Sequence, residues 1–247
     1  MSSTTAVRVR AQAGYETRTL LSNGEQLLVS LVLPALALLA LVLTDVPDLG
    51  AGRRIDLIVP GVLALAVVST GFTGQAIATG FDRRYGVLRF LGTTPLGRSG
   101  LLWGKAIGVL AVVGIQTVVL GGLGLALGWR PSVGGLPVAL LLLVIGTWTW
   151  VALALLLAGS LRAEGVLAVA NLIWVLVAGL GGLLLPSDRL PGVLGSVVAW
   201  LPSGALGDGL RHALTGHVGD ALLPLLVLAA WGALASVLAM GTFDWSD

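Results

Sequence analysis

Charged residues divide this chain into six long apolar runs. The uncharged stretches 26–44, 57–81, 106–129, 131–161, 165–187 and 221–243 hold 19, 25, 24, 31, 23 and 23 residues. A helix needs roughly 20 mostly apolar residues to cross a bilayer. Every run is long enough, and none alternates as a membrane strand does. The pattern predicts an all-α integral membrane protein with six transmembrane helices. A seventh uncharged stretch, 190–207, is broken by Pro191, Gly192, Gly195, Pro202, Gly204 and Gly207. Such breaks predict short helices or a re-entrant element shielded by protein, not a free span.

The expected organisation follows. Residues 1–25 form an N-terminal tail with a surface helix, and 26–243 a six-span domain. That domain carries an inner loop at 81–104 and an outer re-entrant segment at 186–220. Residues 244–247 form a short tail. In the first segment, Val7, Ala11, Tyr15, Leu20 and Leu21 could line one side of a helix on the membrane surface, with Arg8, Arg10 and Arg18 toward headgroups. A frayed tail is the other reading. No small-x-small cleavage site follows the first apolar run before Asp45, so the first span is expected to stay attached.

Composition narrows the function classes. Only 11% of residues are charged and 56% are hydrophobic, against about 25% charged in soluble domains. The length is used up by the spans, which leaves no room for a soluble catalytic domain. Net charge is +2, and no basic run fit for nucleic acid occurs. There is no cysteine, which excludes disulfides, thiol catalysis and cysteine metal sites. Thirteen arginines against the single Lys105 look like the coding bias of a GC-rich genome.

Orientation is read from arginine and lysine in the loops. With the N-terminus inside, Arg8, Arg10, Arg18, Arg83, Arg84, Arg89, Arg98, Lys105 and Arg162 are cytoplasmic. Arg53, Arg54, Arg130, Arg189 and Arg211 are outside. The loop 81–104, with four of the arginines, decides the direction and places both termini in the cytoplasm.

Nucleotide and hydrolytic chemistry are missing. A phosphate-binding loop needs G-x-x-x-x-G-K-[ST]. Around Lys105, Ser99 replaces the leading glycine and Ala106 cannot hold magnesium. His212 and His217 lack metal-site spacing, and Ser203 is the one serine close to a histidine in sequence. No ionisable residue is expected inside the spans, where proton-coupled pumps usually carry one. The polar side chains there are Thr70, Thr73, Gln75, Gln116, Thr117, Thr147, Thr149 and Asn171, with Trp148, Trp150 and Trp174 at mid-span. They read either as interhelical hydrogen bonds or as a substrate path. Thr73, Gln75, Gln116, Asn171 and Trp174 are the path candidates.

The loop 81–98 is the most informative segment. Val87, Leu88 and Leu91 are spaced to share a helical face, with Arg84 and Arg89 elsewhere, and Thr94-Pro95 stops the helix. A short amphipathic helix joined rigidly to two spans suits docking to a soluble partner. A basic loop that only fixes topology is the alternative.

The run Tyr85-Gly-Val-Leu-Arg-Phe-Leu-Gly-Thr-Thr-Pro-Leu-Gly-Arg98, followed by Leu101-Leu-Trp-Gly-Lys105, resembles the inner loop of ABC-type export permeases. These are the six-helix membrane subunits of bacterial drug, polysaccharide and lipid exporters. Glu16-Thr-Arg-Thr-Leu-Leu21, with Glu25 and Pro34, is similar to their N-terminal elbow and first helix. The segments from Gly181 to Pro191, Trp200 to Pro202 and Asp208 to Gly216 are similar to their outer segment. Two positions depart from the pattern: Tyr85 stands where an acid is frequent, and the C-terminal tail is acidic where relatives are commonly basic.

The resemblance implies a non-catalytic transport subunit in a bacterial cell membrane. Two such subunits, identical or paralogous, would pair among membrane lipids. Two ATP-binding subunits, carrying ATP and magnesium, would grip the inner loops. Arg84, Tyr85, Gly86, Val87, Leu88, Arg89, Leu91, Thr94 and Pro95 are the expected docking residues. A secondary transporter or channel that needs no ATPase is the alternative.

Overall fold

The computed structural model describes residues 3–44 and 52–242. Asp45 and the acidic tail at 244–247 lie outside the described residues. Among the described residues, six helices are long and apolar enough to cross a membrane: Gly24–Leu43, Arg54–Arg84, Ser99–Ala126, Val133–Ser160, Ala163–Leu180 and Val218–Gly241. The described residues contain helices and no strand. The chain is an all-α integral membrane protein.

The helices do not stop where the charge-free runs stop. The second span continues past Asp82 to Arg84, and the third helix begins at Gly97. Backbone hydrogen bonding persists beyond the apolar edge. The chain turns around Gly86 (φ 74°) and over Thr93–Leu96 into Gly97 (φ 69°), and both glycines adopt the left-handed conformation, which costs glycine little. The segment between them marks the loop end of the molecule.

The second span is the hub. In its most apolar window 89% of residues are buried, against 17% in the first span and 22% in the fifth. It packs on the first, third and fourth spans and on the helix Pro202–Leu214. The first and second spans each contain a π-helical turn, Leu28–Val32 and Ser69–Gly74, and these two turns touch. Such turns are rare and leave backbone groups displaced from the α-helical ladder. Gln116 of the third span donates to Ser30 O at 3.1 Å. Gln26 donates to Ser69 O at 3.5 Å, and a Cβ at Gly74 would lie 2.2 Å from the Gln26 amide nitrogen.

The N-terminal helix Ser3–Ser22 lies along the third span. Its buried face is Val9, Ala13, Glu16 and Leu20. Of the stripe expected from sequence, Leu20 is buried, whereas Val7, Ala11 and Tyr15 are exposed on another face. Contact is made over Gly104 and Gly108, a small-x-x-x-small groove that lets backbones approach. A Cβ at Gly108 would sit 2.7 Å from Glu16 Cβ and 3.0 Å from Ala13 O.

The Pro- and Gly-rich stretch forms two helices, Val193–Ala199 and Pro202–Leu214, bent by 83° at Trp200-Leu201. Pro202 opens the second helix, where its missing N–H costs nothing. The helix Pro202–Leu214 packs against the second, fourth and sixth spans, whereas Val193–Ala199 packs on that helix and on Ser187–Arg189 and leaves Val193, Val197 and Trp200 exposed.

Candidate functional site

Between the second and third spans, Val87–Gly92 forms a six-residue helix. Gly86 starts it, with Phe90 N donating to Gly86 O at 3.0 Å. The Thr93 and Thr94 hydroxyls close it, donating to Phe90 O at 2.7 Å and Leu91 O at 2.6 Å. Arg8 of the N-terminal helix donates to Pro95 O at 3.3 Å. Arg84 pairs with Glu164 at the start of the fifth span. The short helix is therefore tied on three sides.

Its exposed apolar side chains are Phe90 (71% exposed) and Val87 (38%), and Tyr85 just before it is 72% exposed. Arg89 is exposed beside them and Leu91 is half-buried. Leu88 is 0% exposed and belongs to the main core. Of the residues expected to share an exposed face, Leu88 is turned into the core, whereas Val87 is exposed, Leu91 is half-buried and Phe90 faces outward.

Beneath this helix lies a buried ionic cluster. Lys105, 1% exposed, places Nζ 2.8 Å from Glu16 Oε1 and 3.7 Å from Asp82 Oδ2. It also donates to Gln75 Oε1 at 3.3 Å, and Gln12 donates to Glu16 Oε1 at 2.9 Å. Next to Asp82, Arg83 donates to Ala158 O at 2.9 Å and Leu161 O at 3.0 Å. The expectation of spans without ionisable residues is thus corrected. Counting uncharged residues treats each charge as a boundary in water, whereas a paired charge tolerates burial. The one sequence signal was the isolation of Lys105 among arginines.

The path candidates divide. Gln116 Nε2 donates to Thr70 Oγ1 at 2.9 Å as well as to Ser30 O, and Gln75 accepts from Lys105. Trp174 Nε1 donates to Ser69 Oγ at 2.7 Å. Thr73 is buried, and its hydroxyl has no partner among the described residues. All four sit on or against the second span, and Gln75, Gln116 and Trp174 tie it to its neighbours by hydrogen bonds. Asn171 is apart from them, exposed on the fifth span and bonded to Leu167 O at 3.0 Å. Ser203 and His212 share one helix, nine residues and about 13 Å apart along its axis, so they make no catalytic pair.

A second polar tie lies at the far end. Arg211 Nε donates to Leu57 O at 3.1 Å and Nη1 to Gly182 O at 2.8 Å, and Nη2 bonds Leu183 O. Nη1 also lies 3.0 Å from Asp208 Oδ1. Asp208 in turn accepts from the Ser187 N–H at 3.2 Å and from its hydroxyl. Gly61 makes room: a Cβ there would lie 2.3 Å from Leu183 O and 2.6 Å from Arg211 Nη2. Sequence reasoning treated Arg211 as an outer loop charge and missed this role.

A family model of ABC-2 family transporter proteins matches residues 52–240. The chain belongs to the ABC-2 transporter family. A comparison with curated proteins finds no match. The matched range takes in the loop helix, the ionic residues Asp82 and Lys105, and the bent helix pair.

Among the described residues, this ABC-2 membrane subunit has apolar cavities on two sides. One, of about 480 Å³, lies toward the far end between Leu63, Thr117, Gly121, Leu140 and Leu210. The other, of about 380 Å³, lies between the fourth, fifth and sixth spans and the bend of the helix pair.

Proposed function

We propose that this ABC transporter membrane subunit is the permease of an ATP-driven exporter, and that a separate ATP-binding subunit docks on the helix Val87–Gly92. The carrying observation is the exposure of Val87 and Phe90 on a helix whose Leu88 is locked in the core, with exposed Tyr85 just before it. Exposed aromatics on a rigid support have the character of interface anchors. Arg89, with Arg84, Thr94 and Pro95 around it, supplies the polar rim. The reading puts the loop end and both termini in the cytoplasm of a bacterial cell, with two permease copies and two ATP-binding subunits. Asn171 and the exposed face of the fifth span would border the path between the copies. Drugs, lipids and lipid-linked glycans are the cargo classes that fit apolar walls without charge.

The test is co-purification of the chain with a co-expressed ATP-binding subunit from the same genome. Phe90→Asp should release that subunit while the permease still inserts. Full retention of the subunit by Phe90→Asp and Tyr85→Asp together rejects the docking site.

One observation favours a second reading. Glu16, Asp82 and Lys105 are the kind of buried ionisable group that proton-driven transporters carry. Uptake or efflux driven by a proton gradient in vesicles holding this chain alone would support it. Dependence on ATP and the partner rejects it.

A further inference from the structure

We infer that the second span is hinged at its π-helical turn, Ser69–Gly74. The piece nearer the loop end, Gln75–Arg84, swings there as one body with the loop helix and the near half of the fifth span. Lys105 of the third span is the latch that holds this body in place. The hinge goes beyond the docking reading and rests on it only for the force, a push of the ATP-binding subunit on the loop helix.

The turn divides the neighbours of the second span. Its far piece, Arg54–Val68, packs chiefly on the first and third spans and on Pro202–Leu214. Its near piece packs on the fourth and fifth spans and on the loop helix instead. Two consecutive arginines strengthen that second set. Arg83 donates to Ala158 O and Leu161 O at the end of the fourth span, where a helix leaves carbonyls without partners. Arg84 pairs with Glu164 in the first turn of the fifth span. The fifth span itself packs mostly on the near piece and on the π-helical turn. There Trp174 Nε1 donates to Ser69 Oγ at 2.7 Å, so the fifth span meets the second at the pivot.

Toward the third span the near piece is tied by polar side chains. Asp82 lies 3.7 Å from Lys105 Nζ, a looser contact than the 2.8 Å between Lys105 and Glu16, and its side chain is 35% exposed. Gln75 accepts from the same ammonium group at 3.3 Å, and its own Nε2 is buried without a partner among the described residues. Glu16 and Lys105 belong to the N-terminal helix and the third span, so their pair stays behind when the near piece leaves. The swing therefore gives up two weak contacts and strands no buried cation.

The pivot is under-satisfied in this arrangement. Ser30 and Thr73, one in each of the two touching π-helical turns, bury hydroxyls that have no partner among the described residues. On an α-helix such a hydroxyl can bond the carbonyl four residues back. Rewinding either turn would supply that bond and offset part of the cost of leaving this state. Gly71 and Gly74 lie within the turn of the second span, where glycine leaves the backbone free to bend. From Gly74 to Arg84 the lever runs ten residues, about 15 Å. A rotation of about 15°, the size of a known rigid-body switch, moves its tip by about 4 Å.

The experiment uses the purified full chain in phospholipid nanodiscs, without any ATP-binding subunit. The chain has no cysteine, so spin-label pairs can be placed on exposed positions without background. Leu167→Cys with Ile107→Cys reads across the gap between the fifth and third spans, and Leu167→Cys with Phe90→Cys reads within the moving body. Asp82→Asn opens the latch and keeps the Glu16–Lys105 pair. Pulsed electron spin resonance should then show the first distance changed by about 4 Å, or a second population at that distance, and the second distance unchanged. Gln75→Met weakens the other tie and should shift the first distance in the same direction, which keeps the test available if Asp82→Asn folds poorly. Gly71→Ala adds a Cβ at ordinary contact distance, 3.5 Å from Trp150 Cβ and 3.6 Å from Val109 Cγ1, and restricts the backbone at the pivot. Combined with Asp82→Asn, it should return the first distance to its starting value. Three results overturn the hinge: a first distance that neither latch variant moves, a comparable change in both distances, or a shift that Gly71→Ala leaves untouched. Because no partner is present, failure here leaves the docking test unaffected, and failure of docking leaves the hinge standing.

Discussion

Lys105 of the third span and Glu16 of the N-terminal helix meet at 2.8 Å with almost no solvent around either side chain. Asp82 lies 3.7 Å from the same ammonium group. Three segments distant in sequence are thereby joined at one point below the loop helix. The ammonium also reaches the Gln75 amide, a full turn or more up the second span.

Removing the cation should therefore hurt more than removing the whole pair. Lys105→Met leaves the buried Glu16 carboxylate without its partner, beside a half-buried Asp82, and should cost about 3 kcal/mol of stability. Adding Glu16→Leu should recover part of that loss, giving a coupling energy well above the roughly 0.5 kcal/mol of independent sites. Thermal unfolding of the two single variants and the double variant in detergent measures it. Additive losses would show that the two residues act independently.

The groove at Gly104 and Gly108 predicts a different failure. Gly108→Leu places carbon where Glu16 Cβ and Ala13 O already lie, so the N-terminal helix should lift while the six spans persist. Ala13 is buried in that contact. Alkylation of an Ala13→Cys variant by a water-soluble maleimide should be slow alone and fast in combination with Gly108→Leu. Equal rates would show that the helix does not depend on this groove.

The loop helix separates two roles within six residues. Leu88→Asp buries an unpaired charge, at a cost of several kcal/mol, and should lower the yield of folded permease. Phe90→Asp exposes its charge to water and should leave yield unchanged while weakening partner retention. Comparing membrane yield with co-purified subunit for the two variants distinguishes the roles. The reverse pattern would mean that Leu88 faces outward in the assembled transporter.

Arg211 should tolerate no replacement. Its guanidinium reaches carbonyls of Leu57, Gly182 and Leu183 and the Asp208 carboxylate at once. An ammonium group is a compact charge without the planar fork. Arg211→Lys should lose nearly as much stability as Arg211→Gln, on the order of 3 kcal/mol each. Unfolding midpoints of the two variants provide the check, and rescue by lysine would show that charge alone matters.

The spans were legible because membrane insertion reduces to length and polarity, and both are written along the chain. The bend at Trp200-Leu201 was legible because Pro202 and its neighbouring glycines prevent one continuous span. The burial of Lys105 and Arg211 was not. Position relative to water is a property of what packs nearby, and their partners Glu16, Leu57 and Gly182 are far away in sequence. The loop helix lies between these cases. Its existence followed from Gly86 and Pro95. Its orientation did not, because Val87, Leu88, Phe90 and Leu91 offer apolar groups in several directions, and only the core decides which one is taken in. The amides Gln75 and Gln116 were visible as polar residues in apolar runs, but their use was set by Lys105 and by the π-helical turn at Ser30.

The docking of the N-terminal helix has a consequence for how the chain is made. Thr17 and Gly108, which touch in the finished structure, are 91 positions apart. Synthesis at about 5–20 residues per second means that Glu16 leaves the ribosome several seconds before Lys105 exists. During that interval the helix has no groove to lie in, and its acid has no counter-ion. The first segment synthesised is therefore among the last to settle. The third span, on entering the bilayer with its lysine, completes a contact begun two spans earlier.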